Sequence, residues 1–357
     1  MVPIFIASNT GFSGRTFISL GLAMKLIEQG FKVGYLKPIG LVPIKKGKVV
    51  YDADALFIKE TLGLEEPLEV ISPFVQTYES QTLLFGGGIG NVRKIILDAF
   101  KSFKKKDFVI IGGASDLFEG ALLGANALTL VNDMKASLLM VEPWRGEASA
   151  DVLFGASQLL GDRFGGGIIN KVSVSAVNHV KETVRPFLEK KGVKVFGVFA
   201  QDRALEAVSI RQLNDILNGK VICCEDRLDE FVENFSVGAM DVDSALAHFR
   251  RMQNKAVITG AHRSDIQLAA METSTRCIIL TGGLTSNDVV IGKAQAKGIP
   301  IISVVDDTFT TIDKIEVRLG KTSIREKRKV ERVKEIMDIE FDMKRFLKSI
   351  NIIQQRK

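Results

Sequence analysis

The sequence predicts an α/β protein whose mostly parallel sheet is covered by helices on both faces. Short apolar runs alternate with amphipathic segments along the chain, the pattern that βαβ units leave in a sequence. The first unit combines an apolar strand at residues 2–7, a glycine-containing turn and a helix at residues 16–29. Gly30 is suited to end this helix, and Pro38 follows the next apolar strand.

The alternation of strands and helices occurs in two series. A chain of 357 residues favours two domains, at about 100–200 residues per domain. We predict a first α/β domain over residues 1–204, a smaller α/β domain over residues 205–320 and a basic helical tail over residues 321–357.

The tail carries the excess positive charge of the chain. Residues 321–357 hold 12 of the 48 Lys and Arg and 6 of the 42 Asp and Glu, so residues 1–320 hold 36 of each sign. Its apolar stripe predicts one long helix, which needs a packing partner. We therefore expect a homo-oligomer, with an anionic surface as the alternative. The stripe comprises Val330, Val333, Ile336, Met337 and Phe341.

Several classes of protein are disfavoured by composition. No stretch reaches the roughly 18 uncharged apolar residues of a membrane helix, and no signal peptide precedes the first strand. Three cysteines, without a C-x-x-C pair, agree with a reducing compartment. An aromatic content of 7% argues against a nucleic-acid-binding surface. We expect a cytoplasmic protein with no membrane partner.

The first turn resembles a phosphate-binding loop of the form G-x-x-x-x-G-K-[ST]. Gly14 and Thr16 fit this pattern, whereas Asn9 replaces the first glycine and Arg15 replaces the lysine. Backbone N–H groups of such a turn and the helix N-terminus attract phosphate. An ordinary strand-to-helix turn is the alternative. The candidate phosphate-binding residues are Thr10, Gly11, Ser13, Gly14, Arg15 and Thr16.

The next strand adds charged residues to the same predicted edge of the sheet. Lys37 stands at its carboxyl end, where open α/β sheets bind ligands. Asp52 and Asp54 follow and have two interpretations: one of them supports a metal, or both begin a helix and complement its dipole.

These residues resemble the N-terminal region of long bacterial phosphotransacetylases, which is related to dethiobiotin synthetase and the cobyrinic acid amidating enzymes. The resemblance covers the loop, the helix that follows it and Lys37-Pro38. It continues in the second domain, at Asp202-Arg203 and at residues 237–240, 258–266 and 280–283, which look like a DRTGG domain. The resemblance implies a P-loop NTPase-like fold followed by a DRTGG-like domain and a C-terminal helix.

The resemblance also implies roles for single residues. Thr16 and Asp54 match residues that hold Mg²⁺, and Lys37 matches a phosphate-binding lysine. Gly112 most closely matches the position of a magnesium-binding Glu, and neither Asp116 nor Glu119 occupies it. Because phosphoryl transfer depends on positioned charge, the loss of this Glu and of the loop lysine predicts little or no ATP turnover.

In the second domain, two strand ends are candidates for an anion-binding cleft. They contribute His262, Arg263, Asp265, Thr281, Gly282 and Gly283. The alternative is that the two glycines only permit a tight turn. DRTGG domains often accompany nucleotide-sensing modules, so the resemblance favours ligand sensing.

Three functions are consistent with these observations. The favoured one is a regulatory or scaffolding protein that binds ATP, another nucleotide or a phosphorylated metabolite. The second is an ATP- and Mg²⁺-dependent ligase or amidating-type enzyme acting on a carboxylic acid, and the third is an interaction subunit without a ligand. Only about 37 residues follow the DRTGG-like segment, so we expect no phosphotransacetylase activity.

Overall fold

The computed structural model describes residues 1–11, 13–46, 49–322 and 327–350. The chain divides into two units. Unit 1 comprises Met1–Asp202 together with Ile324–Lys357, and unit 2 comprises Arg203–Ser323. The tail therefore belongs to unit 1 rather than forming a part of its own.

Unit 1 is built on a six-stranded parallel sheet and a separate hairpin. Its strands are β1 (Val2–Ala7), β2 (Val33–Leu36), β3 (Pro43–Lys46), β4 (Val49–Asp52), β5 (Phe108–Gly112), β6 (Ser137–Pro143), β7 (Phe164–Val172) and β8 (Val195–Ala200). The sheet has the order β2-β5-β1-β6-β7-β8, whereas β3 and β4 pair with each other in antiparallel fashion. Parallel strands with crossover helices confirm the predicted fold class.

Nine α-helices accompany these strands in the described part of residues 1–202. They are α1 (Arg15–Glu28), α2 (Ala53–Leu62), α3 (Leu68–Ile71), α4 (Tyr78–Phe85), α5 (Val92–Lys101), α6 (Ala127–Asp133), α7 (Ala148–Leu160), α8 (Val177–His179) and α9 (Arg185–Lys190). A π-helical turn at Val180–Val184 joins the last two. The helix α2 begins where predicted, because the Asp52 side chain accepts a hydrogen bond from Ala55 N.

Unit 2 contains a second, smaller sheet. Its strands are β9 (Val208–Ser209), β10 (Lys220–Cys223), β11 (Phe231–Val232), β12 (Asn234–Val237), β13 (Lys255–Gly260), β14 (Thr275–Thr281) and β15 (Ile301–Ser303). Its helices are α10 (Arg203–Glu206), α11 (Ile210–Leu217), α12 (Val242–Arg250), α13 (Ser264–Met271), α14 (Asp288–Lys297) and α15 (Thr308–Thr322). Five of these strands form the sheet, in the order β10-β15-β14-β13-β12, and within it only the β10 pairing is antiparallel. Strands β9 and β11 form a separate antiparallel pair.

The tail forms two helices, α16 (Lys327–Glu340) and α17 (Met343–Ser349), not the single long helix that its stripe predicts. The break occurs where Phe341 forms an antiparallel bridge with Gly197 of β8 and Asp342 N donates to Phe196 O over 2.8 Å. The tail thus contacts the exposed edge of the unit 1 sheet.

The apolar stripe of the tail packs inside its own chain. Val333 and Met337 are completely buried, and a side chain at Gly21 of α1 would collide with Met337. The packing partner that the stripe needs is therefore supplied by α1 and β8 of the same chain. The homo-oligomer itself stays a prediction. In the described part of the chain, no helix is long and apolar enough to cross a membrane.

Candidate functional site

The loop between β1 and α1 lies at the carboxyl edge of the unit 1 sheet. Gly14 precedes α1 in a left-handed conformation with φ of +95°, which favours glycine, and Arg15 is the first residue of the helix. Thr16 is in the first helical turn, and Thr10 N donates to Ser8 Oγ over 3.2 Å. The Oγ of buried Ser13 makes no hydrogen bond with the described residues. The backbone N–H groups at the N-terminus of α1 therefore face the loop.

Asn170, near the end of β7, holds this loop in place. Its buried Nδ2 donates a hydrogen bond to Ser13 O over 2.8 Å. A side chain at Gly14 would collide with the same amide nitrogen. The sequence prediction missed Asn170, although a single amide within the apolar strand Phe164–Val172 is a usable signal.

Arg15 reaches across to the loop that follows β5. Its guanidinium donates a hydrogen bond to Ser115 O. Burial lowers the pKa of Arg15 to about 10, against the opposing influence of Glu119, Asp54 and Asp116, so it stays charged at neutral pH. Arg15 thus places a partly buried positive charge beside the loop.

Asp116 and Glu119 stabilise the β5 loop itself. Asp116 Oδ1 accepts hydrogen bonds from the backbone N–H groups of Phe118 and Glu119, over 2.7 and 2.8 Å. Glu119 Oε2 accepts from Ser115 N over 2.5 Å. These bonds assign both carboxylates a local structural role.

Lys37 is buried between two carboxylates. Its Nζ lies 2.8 Å from Asp54 Oδ2 and 3.5 Å from Asp52 Oδ1. Burial would lower the pKa of Lys37, but Asp54 and Asp52 outweigh it, so the pKa is raised and the ammonium group is retained. Asp52 also accepts from Val42 N and Ala55 N, over 3.0 and 2.9 Å, which supports its helix-starting interpretation.

Tyr35 fills the space next to Gly112. The two residues lie on neighbouring strands, and any side chain at Gly112 would collide with the Tyr35 hydroxyl. Burial raises the pKa of this phenol, which therefore stays protonated. Lys37, Asp54, Asp52 and Arg15 are close enough to influence the pKa of Tyr35.

The magnesium site implied by the resemblance fits these residues poorly. Mg²⁺ usually takes one or two carboxylates together with phosphate oxygens and water. Here Asp54 is paired with Lys37, and Gly112 offers no side-chain ligand atom. Throughout the described segments, no group of three or more His, Cys, Asp or Glu is arranged to hold a metal. Mg²⁺ binding by Thr16 and Asp54 stays a prediction.

The unit 2 candidates meet at one edge of the second sheet, because Gly260 pairs with Thr281 in parallel register. Arg263 binds Asp265 through two hydrogen bonds, of 3.0 and 2.9 Å, and donates to Met240 O over 2.9 Å.

The neighbouring strand end has a different geometry. Thr281 Oγ1 lies 2.9 Å from Thr308 Oγ1. Gly282 and Gly283 have φ of +91° and +73°, which the turn alone explains. His262 is exposed at the same edge. The predicted residues of unit 2 therefore lie at one edge of its sheet, but Arg263 is already paired with the Asp265 carboxylate.

The strand, loop and helix at the edge of this parallel sheet define a P-loop NTPase-like protein. Comparison with known families agrees. The AAA domain family matches residues 3–209, and the DRTGG domain family matches residues 212–317. The chain belongs to the AAA domain family through unit 1, and it carries a DRTGG domain in unit 2.

The relatives of this chain include phosphate acetyltransferases and dethiobiotin synthetases, which confirms the resemblance. The phosphate acetyltransferase of Pseudomonas aeruginosa is 23% identical over 93% of this chain and 50% of its own length. That of Synechocystis is 24% identical over 75% of this chain and 39% of its own length. The ATP-dependent dethiobiotin synthetase of Clostridium perfringens is 24% identical over 60% of this chain and 98% of its own length. The chain spans half or less of these two acetyltransferases.

Proposed function

We propose that unit 1 binds the phosphate groups of a nucleotide, ATP or ADP, at the loop between β1 and α1. The protein then acts as a regulatory or scaffolding component with little or no ATP turnover. The observation that carries this proposal is that partly buried Arg15 and buried Lys37 both interact electrostatically with the same carboxylate, Asp54, beside the N-terminus of α1. Positive charge at this edge complements a polyphosphate.

Slow turnover is part of the proposal because catalysis needs more than phosphate binding. Phosphoryl transfer is accelerated by charges placed around the transferred group, including metal ions. Gly112 contributes no side chain at the end of β5, and Asp116 and Glu119 are engaged by backbone N–H groups. Binding without efficient hydrolysis suits a protein that responds to nucleotide level.

Calorimetric titration with ATP, ADP and acetyl phosphate tests the binding. We expect nucleotide binding that weakens by about tenfold in Arg15→Gln, since one charge-assisted contact is lost. Lys104→Gln is the matched control, because it removes one positive charge from an exposed site before β5 and so at the opposite sheet edge. Absence of binding to every nucleotide, or equal losses in both variants, would refute the proposal.

Release of ADP tests the turnover. We expect ADP release from ATP to be slow and to be equal in wild type and Thr16→Ala. Rapid release that the Thr16→Ala variant abolishes would favour the ATP- and Mg²⁺-dependent ligase instead.

The edge of unit 2 at His262, Arg263, Asp265 and residues 281–283 is proposed as a second anion site. Arg263 and Asp265 are joined by two hydrogen bonds, so an anionic ligand has to displace the Asp265 carboxylate from Arg263. Arg263→Gln is expected to lower the affinity for that second ligand and to leave binding at the unit 1 loop unchanged. Calorimetry with the Arg15→Gln and Arg263→Gln variants separates the two sites. Unchanged binding in the Arg263→Gln variant would refute this assignment.

A further inference from the structure

We infer that nucleotide binding at the unit 1 loop does not depend on Mg²⁺, and that the Tyr35 hydroxyl serves as a phosphate-binding donor in place of a metal ligand. This inference rests on the proposed nucleotide site and specifies the state of the ligand: a nucleoside di- or triphosphate without its metal.

The first step is the geometry at the end of β5. Tyr35 of β2 pairs with Ile110 of β5, two residues before Gly112. Its ring extends toward the carboxyl edge, because the hydroxyl and Cζ are the atoms nearest to a side chain built at Gly112. No carboxylate can stand at this position while Tyr35 keeps its place. A phenol hydroxyl therefore takes the position that the resemblance gives to a metal-binding Glu.

The second step concerns the carboxylates that remain. Asp54 Oδ2 lies 2.8 Å from Lys37 Nζ, so a divalent cation on the same oxygen would meet a buried ammonium group. Repulsion between such charges is strong where water is excluded. Asp52 is fully buried and accepts two backbone hydrogen bonds in addition to its ion pair. Neither carboxylate is arranged to receive a magnesium ion.

The third step concerns the groups that can meet a phosphate. Arg15 and Lys37 supply positive charge, and the first turn of α1 supplies backbone N–H groups. A phosphate competes with Asp54 and Asp52 for the ammonium group of Lys37. The phenol of Tyr35 is protonated at neutral pH, and burial raises its pKa further, so it donates a hydrogen bond rather than repelling an anion. Donors of this kind can compensate the charge of a polyphosphate that in other sites is shared with Mg²⁺.

Calorimetry in two buffers tests the inference. ATP and ADP are titrated into the full chain in excess EDTA and in excess MgCl₂. We expect the affinity for each nucleotide in EDTA to be at least as high as the affinity in MgCl₂, to within about twofold. Affinity that falls by about tenfold or more in EDTA would overturn the inference while leaving the nucleotide proposal intact. Absence of binding in both buffers would overturn the proposal and the inference together.

Tyr35→Phe tests the role of the hydroxyl, because it removes one oxygen and keeps the ring. We expect about tenfold weaker ADP binding in EDTA, since a hydrogen bond to a charged phosphate is lost. Tyr78→Phe is the control, because it removes the same group from an exposed position on α4. Thermal unfolding of both variants checks the fold. Equal affinities of a folded Tyr35→Phe variant and the control would show that the hydroxyl does not contact the ligand.

Discussion

At the scale of single residues, Asn170 links two elements that are far apart in sequence. Its amide binds Ser13 O from β7 and occupies the space that a side chain at Gly14 would need. Glycine at this position therefore serves two purposes, the left-handed φ and the close approach of the amide. The shape of the loop depends on a residue 157 positions away.

Replacing Asn170 by Ala is expected to destabilise unit 1 by about 1 to 3 kcal/mol, because Ser13 O is left without its buried donor. Nucleotide affinity should fall as well, since the loop loses its support. Urea unfolding and calorimetry measure the two effects. Asn132→Ala, which removes an exposed amide from α6, is the control. Unchanged stability and affinity in Asn170→Ala would contradict this role.

Lys255 is a buried lysine whose hydrogen-bond acceptors are all neutral. Its Nζ donates to Thr273 Oγ1, Ser274 O and Met252 O, over 2.8, 3.0 and 3.3 Å. The ammonium also lies 5.6 Å from the ring centroid of Phe249. Burial lowers the pKa of Lys255 to about 8 from its ordinary 10.5. The charged form is therefore disfavoured in the folded protein relative to the unfolded chain.

This lowered pKa predicts how stability changes with pH. Between pH about 8 and 10.5 the folded lysine has lost its proton and the unfolded one keeps it, so the stability should rise with pH in that window. The rise attributable to Lys255 is about 3 kcal/mol, from a pKa difference of about 2.5 units. Urea unfolding of the wild-type protein and of the Lys255→Met variant across this pH range isolates the contribution of Lys255. An identical pH dependence in the two proteins would contradict the assignment.

At the scale of elements, α16 packs against α1 because of buried area rather than charge. Ion pairs join the two helices, Lys334 with Glu28 over 2.6 Å and Lys25 with Asp338. Partly exposed pairs of this kind contribute little. Met337 and Val333 of α16 are completely buried, and Phe341 is nearly so. Apolar burial therefore holds the tail on unit 1.

Met337→Ala is expected to reduce the free energy of unfolding of unit 1 by about 2 to 5 kcal/mol, because it leaves a cavity against Gly21. Ile339→Ala is the matched control on the same helix, since Ile339 is 78% exposed. That variant should lie within about 0.5 kcal/mol of wild type. Thermal and urea unfolding compare the two. A similar small effect of both changes would mean that the tail does not stabilise unit 1.

At the scale of the whole molecule, the chain leaves unit 1 after β8 and returns to it through α16. Unit 2 lies between these two crossings in sequence, with its own sheet. Its two core clusters consist of its own residues alone, on the two faces of that sheet. A core made locally is the physical requirement for independent folding.

A fragment of residues 203–323 is therefore expected to unfold cooperatively on its own. A fragment of residues 1–202 should be less stable than the same residues within the full chain, because it lacks the tail that buries part of α1 and the β8 edge. Circular dichroism melting of both fragments and of the full chain measures this. Loss of a cooperative transition in fragment 203–323, or an unaltered transition for fragment 1–202, would contradict the division.

Much of the fold could be predicted from local patterns. Strand β1 has the predicted bounds, and helix α1 differs from its predicted bounds by one residue at each end, because apolar periodicity and capping residues act within a few positions. No bounds were predicted for helices α4, α6 and α12, and the short strand β12 and the hairpin β3–β4 were not predicted. Their pairing partners lie elsewhere in the chain or across a tight turn, so no strong local pattern marks them.

The sequence by itself determined the fold class, the two α/β series, the position of the loop between residues 8 and 16 and the resemblance to the acetyltransferase N-terminal region. Only the tertiary structure decided what surrounds these residues. Lys37 pairs with Asp54, Tyr35 fills the space beside Gly112, Asn170 supports Ser13 and the tail finds its partner in α1. Periodicity records which residues are buried within an element, whereas contacts between distant segments depend on how the elements pack.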